Sequence, residues 1–204
     1  MAISFQQLGF WFFRLNGFLT TANFVVHPRR GDAQGTDIDV LGVRFPYRKE
    51  LVVDPLEDAE IFVSGVPQVV LAEIKTGRCA LNGPWTKPAR QNMENALMAV
   101  GAVPSAEVET VARDLYSTGQ SRAGGFWFRL VCVGAERDVD IETRYPAVPQ
   151  ILWSEVENFI FTRFKENIRR KLAHPQWDEA GQLLWNAAMM AGNVEAFHAR
   201  IHTR

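Results

Sequence analysis

The sequence reads as one α/β domain with a central mixed β-sheet flanked by helices and a helical C-terminal extension. Three observations predict this. Phe5, Leu8, Phe12 and Leu15 recur at helical spacing and are followed by Asn16-Gly17, a left-handed stop signal. Short β-rich apolar runs lie around residues 18–26, around Asp39 and at 69–76, each bounded by turn residues. Residues 126–133, Phe-Trp-Phe-Arg-Leu-Val-Cys-Val, are apolar almost throughout, as a strand covered on both faces must be. With 204 residues the chain is long enough for one real core and short for two, so residues 1–148 are assigned to the domain and 149–204 to a helical extension packed on it.

Taken in order, the first helix spans residues 4–15, with Trp11 and Phe13 widening its apolar face, which suits a helix laid on a sheet. A strand follows, ended by His27-Pro28, and a polar turn with Arg29 and Arg30 leads into the Asp39 strand. Residues 44–68 exceed what a hairpin needs and carry Pro46, Pro55, Pro67 and the acids Asp54, Glu57, Asp58 and Glu60. They are expected to form an inserted loop or short helix near the cleft, for substrate sorting, for a dimer contact or as a tolerated surface loop. Trp85 in the next loop either stacks on a base or packs over the sheet edge, and packing is preferred. Helices are expected at 89–100 and 106–116, a charged loop at 137–144, and a helix from 154 to 172 opened by a Ser154/Glu157 capping box. That helix carries Arg163, Lys165, Arg169, Arg170 and Lys171, either a solvated face or a patch that tracks a nucleic-acid backbone. Two further helices follow, near 178–190 and 194–202.

Two charged strand segments need a reason, because charge inside an apolar strand is costly unless paired, solvated or metal-bound. In Glu73-Ile74-Lys75 the alternation of a strand puts Glu73 and Lys75 on one side and Ile74 in the layer behind. If the Asp39 strand lies alongside, one carboxylate from each converges beside a lysine. Such oxygen donors suit Mg2+, with Mn2+ as a substitute, and the site could hydrolyse phosphodiesters with Lys75 orienting water or steadying the transition state. Taken singly, E-x-K and Asp-x-Asp are common solvated or ion-paired patterns. His198 and His202, four residues apart, have the spacing of a zinc pair, but no nearby acid completes a motif and the expectation is against zinc.

On Asp39-Val40-Leu41 and Glu73-Ile74-Lys75 the chain resembles the PD-(D/E)XK nuclease superfamily, the restriction-endonuclease-like and Holliday-junction-resolvase-like fold. The resemblance covers roughly residues 3–134, including the lead-in helix, Gly17 and first strand. It implies Asp39 and Glu73 as metal ligands, the main-chain carbonyl of Ile74 as a further ligand, Lys75 at the nucleophile and Gln91 at the phosphate, with Asp37 an accessory or surface acid. One departure is that many members place a Glu on the first helix where this chain has Gln6 and Gln7, which puts a second metal in doubt. The implied partner is DNA, with RNA open, and double-strand cleavage would call for a homodimer. A catalytically inactive nuclease-fold module that binds nucleic acid or protein is the alternative.

The formal net charge of −1 does not advertise a nucleic-acid binder, so any contact must come from a local patch, the metal or a partner. No Walker loop, dinucleotide fingerprint or Gly-x-Ser-x-Gly elbow occurs. Cys79 and Cys132 read as buried thiols, and with no signal-peptide pattern and no membrane-length apolar run the expected compartment is the cytoplasm.

Overall fold

The computed structural model describes residues 3–28, 35–49, 57–166 and 178–202. Arg29, Arg30, Asp54, Arg169, Arg170 and Lys171 lie outside them. Helix α1 (Phe5–Leu15) starts at Ser4, whose hydroxyl accepts from the Gln7 amide while the Gln7 side chain accepts from the Ser4 amide. It stops at Asn16, and Gly17 turns the chain at a φ of 81°, where a side chain would be strained.

Strand β1 (Leu19–Val26) pairs antiparallel with β2 (Thr36–Arg44), and β2 pairs antiparallel with β3 (Gln68–Ile74). After α2 (Gly83–Thr86), α3 (Asn92–Val100) and α4 (Val108–Thr118), β4 (Gln120–Ala123) turns into β5 (Phe126–Gly134), which lies parallel to β3. Helix α5 (Val139–Arg144) leads to β6 (Gln150–Leu152), parallel to the far end of β5, and then to α6 (Trp153–Glu166), α7 (Glu179–Met190) and α8 (Val194–His202). The α/β expectation holds: a six-stranded mixed sheet is flanked by helices, with a helical C-terminal region.

Two cores cover the two faces of the sheet. On one, Val40, Val70, Ala72, Val131 and Val133 meet the aromatics of α1 and the helices α6, α7 and α8. On the other, Leu41, Val69, Leu71, Leu130 and Cys132 meet α3 and α4. Phe12, Phe13, Phe18 and Phe62 pack edge-on or tilted at centroid distances of 4.9 to 5.9 Å, so the α1 rings are core. Among the described residues, those from 150 on add one strand and three helices to the α1 core. No helix among the described residues is long and apolar enough to cross a membrane.

Several local expectations are corrected. The helix expected at 89 begins at Asn92, because Pro88 opens a separate turn and Gln91 takes a left-handed backbone with φ of 52°. The stretch 137–144 is not a loop: Asp138 accepts from the Asp140 and Ile141 amides and caps α5. Ser154 and Glu157 form no capping box, since α6 opens at Trp153 and it is Glu155 that accepts from the Leu152 amide, at 2.6 Å. The described part of the long insertion does not lie at the cleft. Arg44 and Gln68 are paired there, five residues along β2 and β3 from Asp39 and Glu73, or roughly 17 Å.

At that end the Asp58 side chain, only 6% exposed, receives Arg44 at 2.7 Å, Arg48 at 2.8 Å and Arg163 at 3.2 Å. Arg44 also donates to the carbonyls of Asn16 and Phe62, and the Asn16 side chain accepts from the Ala59 amide. Arg163 is thus a buried structural cation, neither a solvated face nor part of a nucleic-acid patch. Removing one partner from such a buried group leaves unpaired charge and typically costs 3–5 kcal/mol. Asp58→Ala is therefore expected to destabilise the fold by about 3–5 kcal/mol, read as a lower urea midpoint with an unchanged slope; a midpoint within error of wild type would refute the assignment.

Candidate active site

The site forms where the β2 and β3 ladder ends. The pairing Val40–Ala72 sets the register, so one step further Asp39 stands opposite Glu73. Asp39 sits at an interruption of its own strand. The β1–β2 ladder skips from Ala22–Val40 to Phe24–Ile38, and Asn23, across from Asp39, has a φ of 51°. Ile38 and Leu41 fall in the same core, so the alternation of β2 breaks at Asp39. Such irregularities re-aim a side chain. Here the Asp39 carboxylate turns toward β3 and its Oδ2 accepts from the Ile74 amide at 2.7 Å. In extended chain the amide and carbonyl of one residue leave on the same edge, so the Ile74 carbonyl is directed to the Asp39 side.

Glu73 is 4% exposed. Lys75 Nζ donates to its Oε1 at 2.5 Å, Asn82 Nδ2 donates to the same oxygen, and Trp85 Nε1 donates to Oε2 at 2.5 Å. Burial pushes the Glu73 carboxyl above its ordinary value; Lys75 and Trp85 pull it down, while the Asp39 charge pushes it further up. Ile74 packs on the opposite face against Gly9 of α1, where an added Cβ would sit 2.8 Å from its side chain. Trp153 Nε1 donates to the Lys75 carbonyl at 2.8 Å, which holds the strand end from the α6 side.

The structure thus brings together Asp39, Glu73, Ile74 and Lys75. Asp37 remains in the ladder opposite Val25. Gln91 is exposed at the left-handed residue ahead of α3, and its main chain bonds Pro88 and Asn95. Gln6 reaches the site: its amide donates to Asn23 Oδ1 at 2.5 Å and, more weakly, to the Asp39 carbonyl at 3.4 Å. Gln7 is spent in the helix cap. Asn82 and Asn23 carry no sequence signal as site residues, and for Trp85 the sequence suggests stacking or packing but not a bond to Glu73. Trp85 is 3% exposed and packs in the core on the α3–α4 face of the sheet, in line with the preferred packing reading, and it donates to Glu73 as well. Only the short spacing from Glu73, within one strand-to-helix loop, could have signalled it.

The donor set is oxygen alone: two carboxylates and a main-chain carbonyl, with a lysine alongside. That set fits a hard divalent ion such as Mg2+. A buried carboxyl repelled by a second carboxylate is also the electrostatic situation that a cation relieves. The titration of Glu73 should follow the charges around it. In carboxyl-carbon NMR of the metal-free protein, Asp39→Asn is expected to lower the Glu73 pKa and Lys75→Met to raise it; shifts of the opposite sign would separate the three residues.

No protein-family model matches the chain, and no curated protein or solved structure matches it.

Proposed function

We propose that the chain is a Mg2+-dependent nuclease that hydrolyses phosphodiester bonds in DNA, the activity implied by its resemblance to the PD-(D/E)XK superfamily. The observation that supports it best is the meeting of Asp39 and Glu73 across paired strand ends with Lys75 bonded to Glu73. Mg2+, or Mn2+ in its place, supplies Lewis acidity at a phosphate and a bound water of lowered pKa. Asp39, Glu73 and the Ile74 carbonyl would hold the ion. Trp85 and Asn82 keep Glu73 aimed, and Gln6 steadies the Asp39 main chain from α1. Lys75, 23% exposed along its side chain, can swing from Glu73 to an incoming phosphate and offset its developing charge. Gln91, in the turn that opens α3, is assigned to the phosphate.

RNA is the alternative substrate, since phosphate chemistry does not distinguish the sugar. Cleavage of both strands would take two copies, and the proposed setting is the cytoplasm, in defence against foreign DNA or in repair. A second reading is a non-catalytic nucleic-acid-binding or protein-interaction module. Two observations favour it: three donors already occupy the Glu73 carboxylate, and an amide, Gln6, stands where the family's helix acid would be.

The test is nicking of supercoiled plasmid, with linear single-stranded DNA and RNA in parallel, in Mg2+, in Mn2+ and in chelator. Asp39→Asn and Lys75→Ala are each expected to lower the rate about 10²–10³-fold, and Gln91→Ala to lower it less. Cleavage that survives both of the first two substitutions would overturn the proposed site, no cleavage of any substrate would overturn the nuclease assignment, and Mg2+ binding without cleavage would favour the module.

A further inference from the structure

A second group of ligating side chains lies on the C-terminal helices. Glu157 is in the second turn of α6, 3% exposed, and each of its carboxylate oxygens meets one imidazole. Oε2 is 2.6 Å from His198 Nδ1 and Oε1 is 2.9 Å from His202 Nε2. The two rings sit 4.6 Å apart on one face of α8, as a spacing of four residues dictates. One ligand atom from each of the three residues falls within 4.8 Å of the others. The acid that the local sequence lacks comes instead from a helix some forty positions upstream, brought in by the packing of α6 on α8.

We infer that Glu157, His198 and His202 form a binding site for a divalent transition ion of the Zn2+ class, which clips α8 to α6. Two imidazoles and a carboxylate are the ligand set of three-residue zinc sites, which leave a fourth position for water. His198, 59% exposed along its side chain, gives that position access to solvent, while Glu157 is nearly covered. Zn–N bonds of about 2.0–2.1 Å in tetrahedral geometry set ligand atoms roughly 3.3 Å apart. To reach that value the present separations of 2.6 and 2.9 Å would open, within a group whose ligand atoms now all lie within 4.8 Å of one another. Imidazole nitrogen discriminates against Mg2+, so this site and the all-oxygen site at Asp39 and Glu73 take different metals. The two are also built on different elements, the β2 and β3 strand ends there and α6 with α8 here, with Phe5 and Trp153 in the contacts that run between them.

The test uses the full chain without a histidine tag, dialysed against chelator and titrated with Zn2+ by calorimetry in excess Mg2+. One Zn2+ per chain is expected, with a rise in melting temperature on binding. His198→Gln, at an exposed position, keeps the fold by circular dichroism and weakens Zn2+ by more than the roughly 10–100-fold that loss of a mere supporting group costs. Asp39→Asn leaves Zn2+ affinity unchanged. Co2+ in place of Zn2+ should give the intense visible absorption of a four-coordinate site, lost in the double variant His198→Gln, His202→Gln. Absence of saturable Zn2+ binding, or equal binding by the double variant, would overturn the site and leave Glu157 as a hydrogen-bond acceptor for two imidazoles. Loss of Zn2+ binding in Asp39→Asn with retention in the double variant would move the ion to the strand site and overturn this one.

Discussion

The hydrogen bond from the Ile74 amide to the Asp39 carboxylate is the contact on which the candidate site depends. It replaces a ladder bond at the point where β2 and β3 separate. By doing so it spends a carboxylate oxygen to finish the sheet and leaves the acid facing Glu73. Everything that fixes the two strand ends bears on this contact. Gln6 touches the Asp39 carbonyl from α1, Ile74 is wedged over Gly9, and Trp153 takes the Lys75 carbonyl. Helices on one face of the sheet thus set the geometry, while the functional side chains emerge toward the α2 loop on the other.

That arrangement sets a buried glutamate, whose pKa burial raises, across from an aspartate, so its charged form needs compensation. Two neutral donors, Asn82 and Trp85, and one cation, Lys75, share the task. A charge-assisted bond is stronger than a neutral one, and the low polarity around Glu73 strengthens all three. The same features that compensate Glu73 in the free protein would have to yield in part for a metal to bind. One physical quantity on which the two functional readings differ is the free energy needed to loosen Lys75 from Glu73.

What could be read from the residues was what depends on neighbours in sequence. The capped α1 with its aromatic face, the shared side of Glu73 and Lys75, the inward Ile74 and the last two helices all follow from periods of two or 3.6 and from end signals. What could not be read depends on partners far along the chain. Glu157 looked like a cap three residues after Ser154, yet its carboxylate faces residues 41 and 45 positions away. Arg163 looked like one cation of a basic run, yet Asp58, 105 positions earlier, holds it in the core. The irregularity at Asn23 and Asp39 has no local signature either, since an Asn in a β-rich run gives no notice of a positive φ. The three residues of β6 are too few to show a period.

The ionic cluster around Asp58 has a consequence for how this chain could change over time. Arg48 and Asp58 meet side chain to side chain, so the two flanks of the intervening segment are tied together. Lengthening a segment whose ends are already pinned together adds little entropic penalty, about 0.6 kcal/mol for each doubling. Added length between these two residues is accordingly cheap, and the flanks that would carry it lie at the far end of the strands from Glu73.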